Sequence, residues 1–136
     1  MTIRLFKLLL IGSIIGLVVW KYPASYDGLA PWEKIPESST LTYLYKWQYE
    51  QTTNPLYICI ARFEDEEDVG VFTTAFGLTE TSKEVRTTDS LPLVLPEYFN
   101  LSDSKRIYSY PARRGYLCNL WINDDDHLLL IERGWY

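Results

Sequence analysis

The chain has 136 residues, with 18 Asp/Glu against 13 Lys/Arg and a formal net charge of −5. That length holds one ordinary domain, and a 47% hydrophobic content is enough to build its core. The acidic balance speaks against nucleic acid and anionic lipid headgroups as ligands, because both repel a negative surface.

Arg4 and Lys7 precede an uncharged run from Leu8 to Trp20, which Lys21 and Tyr22 close. The run alone is 13 residues, about 20 Å as a helix, short of the ~30 Å hydrocarbon core of a bilayer. From Ile3 to Tyr22 it is 20 residues, about 30 Å, because Arg4 and Lys7 can extend their charges to the interface. Trp20 and Tyr22 stand where an aromatic belt belongs. Residues 1–22 therefore read as a membrane anchor with a single N-terminal transmembrane helix. The positive flank keeps the N-terminus in the cytoplasm and sends the rest across an inner or plasma membrane, into the periplasm in a bacterium. Gly12 and Gly16 have the GxxxG spacing at which a second helix packs closely. A cleaved signal peptide competes with this reading, but its cleavage sites are poor: a cut after Ala24 puts Tyr22 at −3, and a cut after Ala30 puts Pro31 at +1.

Residues 23–39 read as an extended linker. Pro23, Pro31 and Pro36 interrupt regular structure, Tyr26-Asp27-Gly28 has turn chemistry, and Trp32 is expected to dock on the membrane or on the domain. Residues 40–136 read as the extracytoplasmic domain. Without residues 1–22, ten Lys/Arg face eighteen Asp/Glu, so this part is more acidic than the whole.

Thr40 to Tyr49 alternates with period two, placing Leu41, Tyr43, Tyr45, Trp47 and Tyr49 on one face of a strand. Gln51 to Pro55 reads as a turn, and Leu56 to Phe63 as a second, antiparallel strand covered on both faces. Five acids follow, Glu64, Asp65, Glu66, Glu67 and Asp68. Val69 to Phe76 fits two periods. Val69, Val71, Thr73 and Ala75 suit a strand; Val69, Phe72 and Phe76 suit a helix with the acids at its positive end. Gly70 weakens the helix, so the strand is expected. Thr81 and Glu84 have capping-box spacing, predicting a helical turn to about Thr88. Pro92 and Pro96 predict an extended stretch from Leu91, then a turn over Pro96 to Asn100. Arg106 to Tyr110 reads as a strand. Tyr116 to Ile122 and His127 to Arg133 flank Asn123-Asp124-Asp125-Asp126, a hairpin loop. The fold class is thus mainly β, with α+β as the alternative: a small antiparallel sheet behind one membrane helix.

Cys59 and Cys118 lie in apolar strand segments. An oxidising compartment and an even count predict a disulfide, worth roughly 4 kcal/mol for a loop of about 60 residues; two separate buried thiols are the alternative. No CxxC is present, so a thioredoxin-like motif or zinc ribbon is unsupported. His127 follows Asp126 as in a triad, but no Gly-x-Ser-x-Gly accompanies it, and a surface histidine at a hairpin end is the plainer reading. The acids could serve as a glycosidase pair only if burial separated their pKa values, and contiguous loop acids stay solvated. They have oxygen ligands for calcium without the Asp-x-Asp-x-Asp-Gly register. Lys105-Arg106 and Arg113-Arg114 are placed to hold an anionic group or to pair with the acidic loop, internal pairing being the plainer reading. Asn100-Leu101-Ser102 is a sequon, relevant only in a eukaryotic secretory pathway.

No cofactor or metal is expected, and no catalysis. The expected role is capture of another protein, whose basic surface meets Glu64, Asp65, Glu66, Glu67, Asp68, Asp124, Asp125 and Asp126. An immunity-type inhibitor of a secreted toxin is the sharpest form. The alternatives are an accessory subunit of a membrane complex held through Gly12 and Gly16, and a small hydrolase.

Overall fold

The computed structural model describes residues 27–49, 55–82, 84–111 and 115–135. The expected membrane helix, with Gly12 and Gly16, lies outside them. Among the described residues no helix is long and apolar enough to cross a membrane.

Six antiparallel strands form one sheet in the order β1-β2-β6-β5-β4-β3. They are β1 (Leu41–Tyr49), β2 (Leu56–Phe63), β3 (Thr79–Glu80), β4 (Arg106–Ser109), β5 (Tyr116–Asn123) and β6 (Leu128–Trp135). β2, β5 and β6 are covered on both faces over most of their length, and β5 is buried at every position. Among the described residues three short helices accompany the sheet: α1 (Pro31–Lys34), α2 (Glu66–Phe76) and α3 (Leu91–Val94), with a 3-10 turn at Leu101–Asp103.

The segment expected as a strand after the acids is α2. Asp65 caps it, its carboxylate accepting from the Glu67 N–H at 3.0 Å, and Glu66, Glu67 and Asp68 fill the first turn, where the helix dipole favours negative charge. Val69, Phe72 and Phe76 form the buried stripe. Gly77, at φ 64°, ends the helix in the left-handed conformation. Gly70 faces open space, so its cost of about 1 kcal/mol relative to alanine is confined to backbone propensity. Cap, dipole and stripe together outweigh it.

The sheet has two cores. Under α2 lie Leu41, Tyr43, Cys59, Ala61, Phe63, Cys118, Leu120, Ile122, Leu129 and Ile131. The opposite face holds Ile58, Ile60, Trp121, Leu128 and Leu130, covered by Leu91, Phe99 and the half-buried Val85, Val94 and Leu95. The turn expected at Pro96 is present, with the Phe99 N–H donating to the Pro96 carbonyl at 3.1 Å. The expected capping-box helix is not. Described residues from Thr81 to Thr88 have no helical structure, because Thr88 is engaged elsewhere: its N–H and hydroxyl both donate to the buried Glu132 carboxylate.

The aromatic positions of β1 do not share one face. Tyr43 pairs with Ala61 but Tyr45 with Ile60, so Leu44 is an extra residue, a β-bulge. Leu41 and Tyr43 enter the core under α2, while Tyr45 and Trp47 join the other. A strict period of two cannot reveal such an insertion.

From Asp27 onward the expected linker is part of the domain. Ala30, Pro31 and Ile35 are buried. The Tyr57 hydroxyl donates to the Gly28 carbonyl at 3.0 Å, and Tyr43 to that of Ile35. The buried Arg133 holds Asp27 at 3.0 Å and the Leu29 carbonyl at 2.7 Å. Lys34 pairs with the same aspartate at 2.5 Å. Burial alone would raise the Asp27 pKa, but Lys34, the Leu29 N–H and Arg133 together hold it down at about 2.

Candidate functional site

Two acidic loops that are far apart in sequence meet at one end of the sheet. β2 runs into Glu64–Asp68 just where β6 leaves Asp124–His127, since Arg62 is paired with Leu128. Arg106 joins them. Its guanidinium binds both oxygens of Glu66 and, at 2.5 Å and 3.1 Å, both oxygens of Asp124. These bonds, Glu66's first, hold its charge on more firmly than usual. Lys105 reaches Asp125 at 3.3 Å across an exposed pair, which contributes little to stability. Pairing of this dibasic site with the acidic loop was expected; Arg113 and Arg114 lie outside the described residues.

The eight acids are therefore not equivalent. Asp65 caps α2, Asp68 accepts from the Thr40 hydroxyl at 2.8 Å, and Asp126 accepts from the Asn123 amide at 3.1 Å. Glu66 and Asp124 are taken by Arg106. Glu64 and Glu67 are exposed, with no ionic partner among the described residues. No group of three or more ligands that could hold a metal ion forms among the described residues. This acidic end lies opposite Asp27. From the Tyr57–Arg133 pair to the Arg62–Leu128 pair is five residue steps, about 17 Å along the strands.

Beside the acidic end is a cleft of about 560 Å³ lined by Leu44, Arg62, Tyr98, Asp126 and Leu128. It shares Arg62 and Asp126 with a recess of about 350 Å³ lined by Phe63, Glu64 and His127. Arg62 is exposed and has no hydrogen-bond or ionic partner among the described residues. His127 has φ 53°, the left-handed conformation that closes the four-residue hairpin loop, and its ring meets Phe63 edge-on at 5.9 Å. Asp126 turns to Asn123 and makes no triad with it. Arg62, Leu44 and Tyr98 carry no motif. The available signal is that Arg62 is the one cation in the apolar segment Leu56–Phe63.

Cys59 and Cys118 do not form the expected disulfide; both are free, buried thiols. β6 runs between their strands, Cys59 beside Ile131 and Cys118 beside Arg133. Two inter-strand spacings exceed roughly 9 Å, and a disulfide needs Cα atoms within about 7 Å. Burial pushes both thiols up, Cys118 to about 12.

Comparison with known protein families, curated proteins and solved structures gives no match to the chain.

Proposed function

We propose that the chain is a membrane-anchored, extracytoplasmic module that binds another protein without catalysing a reaction. The observation that carries this reading is the assembly of both acidic loops by Arg106 at the end of the sheet away from Asp27. With residues 1–22 in the bilayer, a domain docked from Asp27 onward turns its acidic end toward whatever approaches from outside. Charge complementarity then steers a basic partner to that end. An immunity-type inhibitor of a secreted toxin is the form that fits best with a small acidic domain of this kind.

Affinity capture with the detergent-solubilised full chain tests this. Glu67→Lys/Asp125→Lys reverses two exposed charges that neither cap a helix nor enter a core. A basic partner held by the wild type should be at least about tenfold depleted with the variant, and the difference should shrink with added salt. A partner captured equally by both chains would refute the reading. If Gly12→Leu/Gly16→Leu removes the partner instead, the chain is an accessory subunit held through its membrane helix.

A further inference from the structure

A strand bulge, a left-handed hairpin residue and an isolated cation meet at the cleft beside the acidic end. The bulge in β1 turns Leu44 outward, where it is 39% exposed. His127 holds a left-handed backbone at the rim of the adjoining recess. Arg62 projects from a strand otherwise apolar. Bulges and unusual backbone conformations recur beside binding sites, where they re-aim side chains.

The guanidinium groups of this domain have different fates. Arg106 is bound by two carboxylates, and Arg133 is buried against Asp27. Arg62 alone stands in a cavity with no partner among the described residues. Its planar fork matches a carboxylate. Glu64 and Asp126 flank it, so repulsion grows with ligand charge and disfavours a phosphate or a diacid more than a single carboxylate. The rest of the cleft specifies what the carboxylate is attached to. Leu44 and Leu128 are aliphatic, and Tyr98 is 51% exposed; together they cover an apolar side chain. Asp126 remains to accept from a nearby N–H.

We propose that this cleft captures the C-terminal carboxylate of a partner polypeptide whose last residue is apolar. The carboxylate binds Arg62, the last side chain lies on Leu44, Tyr98 and Leu128, and a backbone N–H donates to Asp126. A chain end is preferred over a free amino acid because the cleft is open and runs on into the recess, with room for several residues. The acidic end also attracts the basic polypeptide already inferred. This proposal rests on the protein-binding reading and names what the partner presents.

The test titrates the full-length protein in detergent with a peptide, acetyl-Lys-Gly-Gly-Leu, as free acid and as C-terminal amide, to about 5 mM by calorimetry. The free acid should bind at least about tenfold more tightly than the amide, and Arg62→Gln should abolish that preference. The exposed Arg62 leaves the thermal transition of the variant unchanged, which separates lost binding from lost fold. Equal binding of acid and amide, no binding of either, or a preference that survives Arg62→Gln overturns the proposal. So does binding of free leucine as tight as that of the peptide acid, which would make the ligand a small amino acid. The two readings fail separately. A partner lost with Glu67→Lys/Asp125→Lys but retained by Arg62→Gln leaves protein binding standing and removes the cleft from it.

Discussion

Glu132 and Arg133 are neighbours on β6, both buried, pointing to opposite faces of the sheet. Arg133 is fully engaged. Its Nε donates to the Tyr116 hydroxyl at 3.1 Å, its other nitrogens reach the Leu29 carbonyl and Asp27, and its guanidinium lies 4.9 Å from the Phe76 ring centre. Glu132 accepts from Thr88 through one oxygen, and its Oε1 has no hydrogen-bond partner among the described residues. Each charge pins an irregular segment to the sheet: residues 27–30 on one face, the stretch around Thr88 on the other. Burial of a charge stabilises a fold only when its partners are complete. The first clamp meets that condition and the second does not.

The comparison breaks most visibly at Arg133. Arg133→Ala removes one of the two cations that hold Asp27, takes a donor from the Tyr116 hydroxyl and opens a cavity beside Phe76, so urea unfolding of the full chain in detergent should show a loss of about 2–5 kcal/mol. A loss below about 1 kcal/mol would mean that residues 27–30 are not held by this clamp. Gly134, the next residue, is smaller in effect. A Cβ there would lie 2.8 Å from Leu56 Cδ1 and 3.0 Å from both Leu56 Cα and the Pro55 carbonyl. Backbone does not yield as a side chain does, so Gly134→Ala should cost about 1–3 kcal/mol in the same measurement. An unchanged transition would mean that β2 and β6 separate more easily here than their pairing implies.

Glu132→Gln sharpens the comparison in the opposite direction. Burial raises the Glu132 pKa above its ordinary 4.5, against the hydrogen bonds from Thr88 and Asn119. The folded state therefore holds its proton more tightly than the unfolded state. The stabilisation is complete below about pH 4.5 and is lost as pH rises through the raised value. Glutamine keeps an acceptor for Thr88 and carries no charge, so Glu132→Gln should be about 1–2 kcal/mol more stable than wild type at pH 8. That difference should vanish near pH 4. A variant less stable than wild type at pH 8 would show that the partners of the ionised carboxylate outweigh its unsatisfied Oε1.

Much of the sheet was legible in the sequence, because apolar alternation and a run of Asn and Asp at a hairpin leave a direct trace. β1, β2, β5 and β6 are close to where the pattern puts them, with the hairpin loop expected at Asn123–Asp126 displaced by one residue to Asp124–His127. The pattern failed where an isolated residue changes the outcome. Gly70 argued for a strand, yet it sits on the solvent side of α2, where its missing side chain leaves no void. Leu44 has no marker of a bulge, so the face swap of Tyr45 and Trp47 was invisible. The eight acids were recognised, but Arg106 as their bridge depends on strand order, which single-strand periodicity does not encode. Arg62 and Tyr98 were missed for the same reason: they are 36 residues apart in sequence and share a cleft only through the folded sheet.

The smallest expected effect concerns the cysteines, and it tests the sheet order itself. Were Cys59 and Cys118 bridged, reduction would lower the thermal midpoint by several degrees, since such a crosslink is worth roughly 4 kcal/mol. With β6 between them no bridge forms, so dithiothreitol should leave the midpoint unchanged. Both thiols are buried and held protonated, with Cys118 raised to about 12. A maleimide reagent should therefore label neither in the native protein at pH 8 and both after unfolding in guanidinium without reductant. Labelling of neither in the unfolded, unreduced chain would reveal a disulfide. It would require β2 and β5 to be neighbours and would displace the strand that carries both buried charges.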